Sequence, residues 1–340
     1  MAITGPASFV PTVNQFSSHW LACNTARPPA APLLVRVPEK ETTFTRAQFL
    51  GICTELVTQQ GVLQGCLTEQ QITRGAINRK KAALLARFNQ FNTQLDGNYQ
   101  NTDFYEARPY APNFTDGQEI FSRAILEALK LWEKLNGGPA PAGVTLPLVL
   151  PTADETPGTL DVGAYASLLS ALQFDYATEV DKEQLVIIAR AKRNRIQVRA
   201  YDVMKAYREN VPAKMAAFPE LVDTMPRLSP LPGHTPEAVN ASAILEGPNQ
   251  SKVVYDASPD PMLAAYQLRG NVGDDYSDED AVVIATRGPG EPREFVTPFG
   301  LTQPGARIAL KVFVILTSGH EAGGAVMFVQ RPANVQPMAA

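Results

Sequence analysis

Cysteine, histidine and net charge are all scarce in this chain. Its 340 residues include three cysteines, three histidines and two tryptophans. Cys23, Cys53 and Cys66 are odd in number and confined to the first quarter, which excludes a disulfide framework. Thirty basic against 34 acidic residues give a formal charge of −4, whereas a general nucleic-acid binder is normally basic. No stretch approaches the ~20 apolar residues that cross a bilayer. There is no GxSxG, P-loop or GxGxxG motif, and neither His234 nor His320 lies near a nucleophile motif. The expectation is therefore a protein that is not an enzyme and has no cofactor. Residues Met1 to Pro11 carry neither a basic n-region nor an apolar h-region. That implies either a cytoplasmic protein or export without a classical leader, and leaves the compartment open.

What is present is enough apolar residue, 45%, to build sizeable cores. The length suits two or three domains of ~100–150 residues each. The first 230 residues read as one unit written twice. Each copy opens with a helix bearing a tryptophan and an asparagine, Trp20 with Asn24 and then Trp132 with Asn136. A Pro/Ala/Gly-rich loop follows in each, at Ala26–Pro32 and Gly137–Gly143. Next come a short apolar extended piece, Pro32–Arg36 or Leu146–Leu150, and a long helical segment. The copies close at Ala107–Pro112 and Pro226–Pro232.

The long segments carry most of the mass. Thr45 to Leu95 contains no proline, and Thr45-Arg-Ala-Gln48 fits a capping box. Gly51, Gly61, Gly65 and Gly75 each cost up to ~1 kcal/mol against alanine in a helix, so a break or bend is an open alternative there. In the second copy Tyr165, Leu169, Leu172, Tyr176 and Val180 form a stripe, resumed by Ile187, Ala191, Val198, Tyr201 and Met204. Its mean spacing of about 3.6 marks one helix face rather than a strict heptad seam. A helix of ~50 residues is ~75 Å long and cannot bury such a stripe alone. The two long helices are therefore expected to pack on each other.

From Pro232 to Pro332 the period changes to two. Expected strands run over 238–245, 251–257, 263–269, 281–287, 294–298, 306–316 and 325–331. Seven short strands in ~100 residues match a Greek-key sandwich. Val312–Leu316 is apolar at every position, as in a strand covered on both faces.

These residues resemble a fibronectin type III domain over about 30% of the chain. Tyr255, in Val253-Val-Tyr-Asp-Ala-Ser258, stands where that family has an aromatic in its second strand. Tyr266-Gln-Leu268 is similar to its third-strand pattern. Leu301-Thr-Gln-Pro304 leading to Ile308 resembles its leucine–proline–tyrosine corner. Ile308 replaces the tyrosine, and one residue is inserted between Leu301 and Pro304, so the resemblance implies the fold without its corner hydrogen bond. The whole layout also resembles bacterial proteins of the same arrangement, which implies no activity.

The acidic run Asp274-Asp275-Tyr-Ser-Asp278-Glu279-Asp280 is the strongest ligand candidate. Asp274, Asp275, Asp278 and Asp280 offer hard oxygens of the kind Ca²⁺ takes six to eight of. The run lacks the glycine and alternating spacing of an EF-hand loop, and a solvated loop between strands is the competing reading. His19 and Cys23 lie at i, i+4 and, with Cys53 or Cys66, would form a soft metal site; burial as small apolar side chains competes. The basic runs Arg74, Arg79, Lys80, Lys81 and Arg190, Lys192, Arg193, Arg195, Arg199 would suit a nucleic-acid or lipid-headgroup surface, but the acidic total and the lack of interleaved aromatics favour solvated faces paired with acids such as Glu179, Asp181 and Glu183, or contacts to another subunit.

The expected fold class is multidomain α plus β: a duplicated long-helix antiparallel bundle followed by a seven-stranded fibronectin type III-like β-sandwich. The boundaries are 1–115 and 116–232 for the helical repeats, 233–334 for the sandwich and 335–340 for a tail. The expected function is a structural or assembly subunit that forms a homo-oligomer or filament. An adhesion module binding glycan or protein through Asn271–Asp280 and Ser318–Gly324 is the alternative. An enzyme with a site between the helical part and the sandwich ranks third.

Overall fold

The computed structural model describes residues 3, 6–29, 31–37, 42–100, 102–140, 144–151 and 159–332. The expected tail at 335–340 lies outside the described residues. About half of the chain is helical, and the chain forms two compact units, Met1–Gln71 with Leu185–Ala340, and Ile72–Gln184.

The first unit begins with helix α1 (Pro6–Ala26) and the strand pair β1 (Val35–Val37) and β2 (Thr42–Phe44). Helix α2 (Arg46–Asn98) starts on the expected capping box. Gln48 N–H donates to Thr45 Oγ1 at 3.2 Å, and Thr45 N–H donates back to Gln48 Oε1 at 2.8 Å. The unit also holds the second half of helix α5 (Val162–Lys214) and the short helix α6 (Pro219–Asp223). Its helical core gathers Phe16, Trp20, Val35, Phe49, Leu56, Val203, Met204 and Tyr207. Trp20 Nε1–H donates to Leu33 O at 3.0 Å, and Asn24 Oδ1 accepts from Leu33 N–H at 2.8 Å. Each bond satisfies a polar group whose burial unpaired would cost ~1–3 kcal/mol.

The second unit holds the rest of α2, α3 (Asp103–Glu106), α4 (Gln118–Asn136), the strand pair β3 (Leu150–Pro151) and β4 (Thr159–Leu160), and the first half of α5. Its core gathers Leu84, Phe88, Phe91, Phe121, Trp132, Leu150, Tyr165 and Leu172. Here Trp132 Nε1–H donates to Leu148 O at 3.1 Å, and Asn136 Oδ1 accepts from Leu148 N–H at 2.8 Å.

Within each unit α2 and α5 run antiparallel. In the first, Arg199 pairs with Glu55 and Gln59 donates to Ala189 O; in the second, Arg74 pairs with Glu179 at 2.7 Å and Lys80 with Asp175 at 2.7 Å. Helix α2 is continuous over 53 residues, so the glycines do not break it. Gly51, Gly61 and Gly65 are exposed and contact nothing beyond the helix, so their cost is conformational only.

The expected stripe on α5 is corrected in its second half. Tyr165, Leu169 and Leu172 are buried, as is Met204 at the end of the stripe, but Val180, Ile187, Ala191, Val198 and Tyr201 are exposed. The buried set is instead Val186, Ala189, Arg193, Ile196, Ala200, Val203 and Tyr207, in alternating steps of three and four. A seam between two packed helices follows 3.5 residues per turn, and a straight face drifts from it by ~20° per heptad. Over the three heptads after Tyr165 the 3.6-residue stripe has rotated roughly 60° off the contact.

The sandwich belongs to the first unit. One sheet is β5 (Ala241–Glu246), β6 (Gln250–Tyr255) and β9 (Glu294–Thr297), in that order. The other runs β11 (Glu321–Gly323), β10 (Arg307–Leu316), β7 (Leu263–Val272), β8 (Val282–Arg287), with β12 (Met327–Gln330) also on β10. All pairs are antiparallel. Val253, Tyr255 and Phe295 of the first sheet meet Tyr266, Leu268, Leu310, Val312 and Val314 of the second. Tyr255 stacks on Phe295 with ring centroids 5.1 Å apart, and Ile308 is buried in the place of the corner tyrosine.

Seven of the eight segments fall on the expected strands, and the eighth, β11, lies ahead of the expected last strand 325–331. Gly324 bonds to Val312 O, and a Cβ there would lie 2.6 Å from Val239 O, so the backbones approach too closely for any other residue. Val312 to Leu316 is buried on both faces, as its composition implied.

Gly61→Ala is expected to raise the denaturant midpoint, by up to ~1 kcal/mol of stability, because the position is helical, exposed and open. A lower midpoint would contradict a continuous α2.

Candidate functional site

The acidic run forms the loop between β7 and β8. Asn271 shapes it: its Oδ1 accepts from Ser277 N–H at 3.2 Å, and Ser277 O in turn accepts from Asp280 N–H and Ala281 N–H. The four aspartates do not converge. Asp274 pairs with Arg307 at 2.7 Å, Asp275 is exposed, and Asp278 lies 3.8 Å from Lys311 Nζ. Asp280 alone is buried, at 4% exposure. Among the described residues no group of three or more His, Cys, Asp or Glu stands close enough to hold a metal ion. Carboxylates that diverge onto separate cations do not form the oxygen cage Ca²⁺ takes, so this donor set does not fit the expected ion.

The loop instead ties the sandwich to the helices of its own unit. Asp280 accepts from Arg190 Nε at 2.8 Å and from its terminal nitrogen at 2.5 Å, and its other oxygen accepts from Arg193 at 3.1 Å. Arg193 also donates to Glu279 O at 2.5 Å. From α2, Gln64 Nε2 donates to Asp280 O at 3.0 Å and Gln71 Nε2 to Arg307 O at 2.6 Å. Asp280 and Arg193 side chains are each 3% exposed, while Arg190 reaches 37%. The Asp280 carboxylate, bonded to Arg190, stabilises the guanidinium and raises its pKa from the usual value, against the opposing effect of burial.

Arg190 and Arg193 were grouped with the solvated basic faces. Arg193 occupies a seam position of α5, between Ala189 and Ile196, and a charged residue on an apolar seam is the signal that marks it. Lys81 is a parallel case in the other unit: buried on α2, it donates to Asp116 O at 2.8 Å and sits 4.8 Å from the Phe121 ring centroid. Burial lowers its pKa.

Also on β7, Arg269 forms a bidentate pair with Glu321 at 2.9 and 2.5 Å and lies 3.9 Å from the Phe313 ring centroid. Its Nε donates to Gln267 at 2.7 Å, so a second buried guanidinium is spent on internal contacts.

His19 and Cys23 share a face of α1, as their spacing implied, but within an internal network. His19 Nε2–H donates to Leu221 O at 2.7 Å, which leaves Nδ1 to accept from Tyr207 O–H at 2.7 Å. Tyr207 in turn accepts the weak Cys23 S–H bond at 3.4 Å. Burial lowers the His19 pKa and raises that of Cys23, and it pushes the Cys53 thiol up to about 11. The His19 and Cys23 side chains are thus bonded within the protein, and among the described residues no group of three or more metal-ligating side chains gathers around them. His234 bonds to Asp260, and His320 to Leu231 O.

No family model matches the chain, and no curated relative matches it. Several solved structures are similar to about 30% of the chain. An Fn3-like protein from Clostridium thermocellum is 18% identical, covering 30% of this chain and 100% of its own, with a TM-score of 0.23. The fn3 domain of human contactin 1 is 15% identical, covering 33% of this chain and 88% of its own, with a TM-score of 0.26. A pectate lyase, PelI from Erwinia chrysanthemi, in complex with tetragalacturonic acid, is 12% identical over 27% of this chain and 28% of its own, with a TM-score of 0.23. Fibronectin type III domains are thus among the structures similar to about 30% of the chain.

Asp280→Asn leaves two guanidiniums facing no anion and is expected to lose ~3–5 kcal/mol in chemical denaturation, while ~1 mM Ca²⁺ leaves the wild-type Tm unmoved. A neutral substitution, or a calcium-dependent rise in Tm, would contradict this assignment of the loop.

Proposed function

We propose that the chain is a non-enzymatic structural subunit that associates with copies of itself. In this reading it is a duplicated antiparallel long-helix bundle carrying a fibronectin type III-like sandwich of seven strands, with β11 as a short added segment. The duplication is supported by the matched tryptophan and asparagine bonds, Trp20 and Asn24 onto Leu33, Trp132 and Asn136 onto Leu148.

The observation that carries the self-association is the apolar face of α5 in the first unit. Leu185, Ile187, Ile188, Val198 and Tyr201 are 42–59% exposed on a helix whose opposite seam is buried. Five exposed apolar side chains within 17 residues suit an interaction surface, and symmetric self-association is the commonest way soluble chains cover one. A glycan or protein adhesion role has less support. One of its loops is bonded inward through Asp280, and the other through His320 and Ser318 to Leu231.

Light scattering after size exclusion is expected to give a mass of two or more copies at ~10 µM, and Ile187→Glu with Val198→Glu to give a monomer with unchanged helical circular dichroism. A wild-type monomer at this concentration would overturn the proposal.

A further inference from the structure

The edges of the two sheets are protected unequally. A sheet edge presents a row of unpaired N–H and C=O groups, which proteins blunt by short length, charge, proline or cover. In the three-stranded sheet β9 has only four residues and carries Glu294, paired with Lys252 at 3.0 Å. On its other side, the carbonyl of Val239, two residues ahead of β5, lies close against Gly324. In the second sheet β11 has three residues, and the turn before it is bonded to the linker: Leu231 N–H donates to Ser318 O at 3.0 Å and His320 to Leu231 O at 2.9 Å.

Strand β8 is the exception. It ends the order β11-β10-β7-β8, spans six residues, Val282-Val-Ile-Ala-Thr-Arg287, and contains no proline, lysine or acid. Among the described residues its backbone bonds to β7 on one side and to no other backbone group. One extra residue, Ile284, interrupts its register, between Val283 opposite Arg269 and Ala285 opposite Leu268. Such a bulge adds twist and shortens the regular run, so pairing along this edge is weak and concentration-dependent.

Charge selects the occupant. Strand β8 ends on Arg287, and the exposed Glu279 stands just ahead of its start, in no ion pair among the described residues. Arg287 has Glu291 at 3.3 Å, four residues on, an exposed pair of the kind that contributes little. Two copies of β8 laid antiparallel about a two-fold axis bring Arg287 of each beside Glu279 of the other. A parallel pairing would set arginine against arginine. From the unprotected edge and this self-complementary charge we infer that β8 is a second self-association surface, pairing antiparallel with β8 of another copy. Combined with the α5 face it gives each chain two separate symmetric contacts, which propagate into an open filament. The edge pairing stands without the α5 face; only the filament rests on that reading.

Light scattering of the full chain at ~10 and ~200 µM tests it. The wild-type mass is expected to grow at least about twofold between the two concentrations. Ile187→Glu with Val198→Glu, which lacks the α5 contact, is expected to pass from one copy to two and no further. Arg287→Glu and Glu279→Arg each set like charges across the edge, and each is expected to keep its ~10 µM mass at ~200 µM. Mixed in equal amounts, the two variants restore both ion pairs and growth returns, which a merely structural effect of either change would not produce. If Glu279→Arg fails to fold, Thr286→Lys, a charge at an exposed edge position, replaces the single-variant arm and is expected to block growth. A wild-type monomer at ~10 µM removes the α5 reading, and the edge inference then still requires two copies at ~200 µM. An α5 variant that stays monomeric at ~200 µM, a mixture that grows no more than its two components, or unhindered growth of Thr286→Lys overturns the inference.

Discussion

One buried carboxylate, that of Asp280, governs how the sandwich sits on the helices of its unit. It receives hydrogen bonds from two guanidiniums on α5, while its backbone carbonyl is held from α2. Such a cluster adds little net stability, because taking ions out of water costs several kcal/mol each. Its effect is on geometry. Only one placement of the β7–β8 loop satisfies all the donors at once, and any other leaves Arg193 charged and unpaired in the interior. Asn271 and Ser277 shape the loop locally so that Asp280 is presented to the helices.

The architecture was largely legible because it rests on periodicities that a sequence displays directly. The switch from helical spacing to alternation at Pro232, the capping box at Thr45 and the all-apolar run Val312–Leu316 each report a backbone requirement. The matched Trp/Asn pairs were legible for the same reason: a tryptophan N–H and an asparagine amide are expensive to bury unpaired, so both mark fixed contacts. What escaped was phase. A 3.6-residue stripe and a 3.5-residue seam coincide over one or two heptads and then separate, so the stripe serves for Tyr165–Leu172 and fails from Val180 to Tyr201. The short strand β11 escaped too, since three residues beside Gly319 and Gly324 carry no alternation to read.

The candidate site was half legible. Five acidic residues within Asp274–Asp280 drew attention to the right loop, but composition does not say where each carboxylate points. The partners lie about 90 residues away on α5, and counting charges merges Arg193 with the exposed Lys192 and Arg195 beside it. Seam position separates them: Arg193 falls in phase with Ala189 and Ile196, and its neighbours do not. The same rule finds Lys81. A charge in register with a buried seam is therefore a better pointer to a specific contact than a run of like charges.

The coupling energy between Asp280 and Arg193 tests this account most directly, measured by denaturation of Asp280→Leu, Arg193→Met and the double variant. Asp280→Leu strands Arg193 and is predicted to lose ~3–5 kcal/mol, Arg193→Met leaves Asp280 bonded to Arg190 and loses less, and the double variant, with Arg190 free to turn toward solvent, loses clearly less than the sum of the two. Losses that simply add in the double variant would show that the two side chains act independently, and would contradict the junction described.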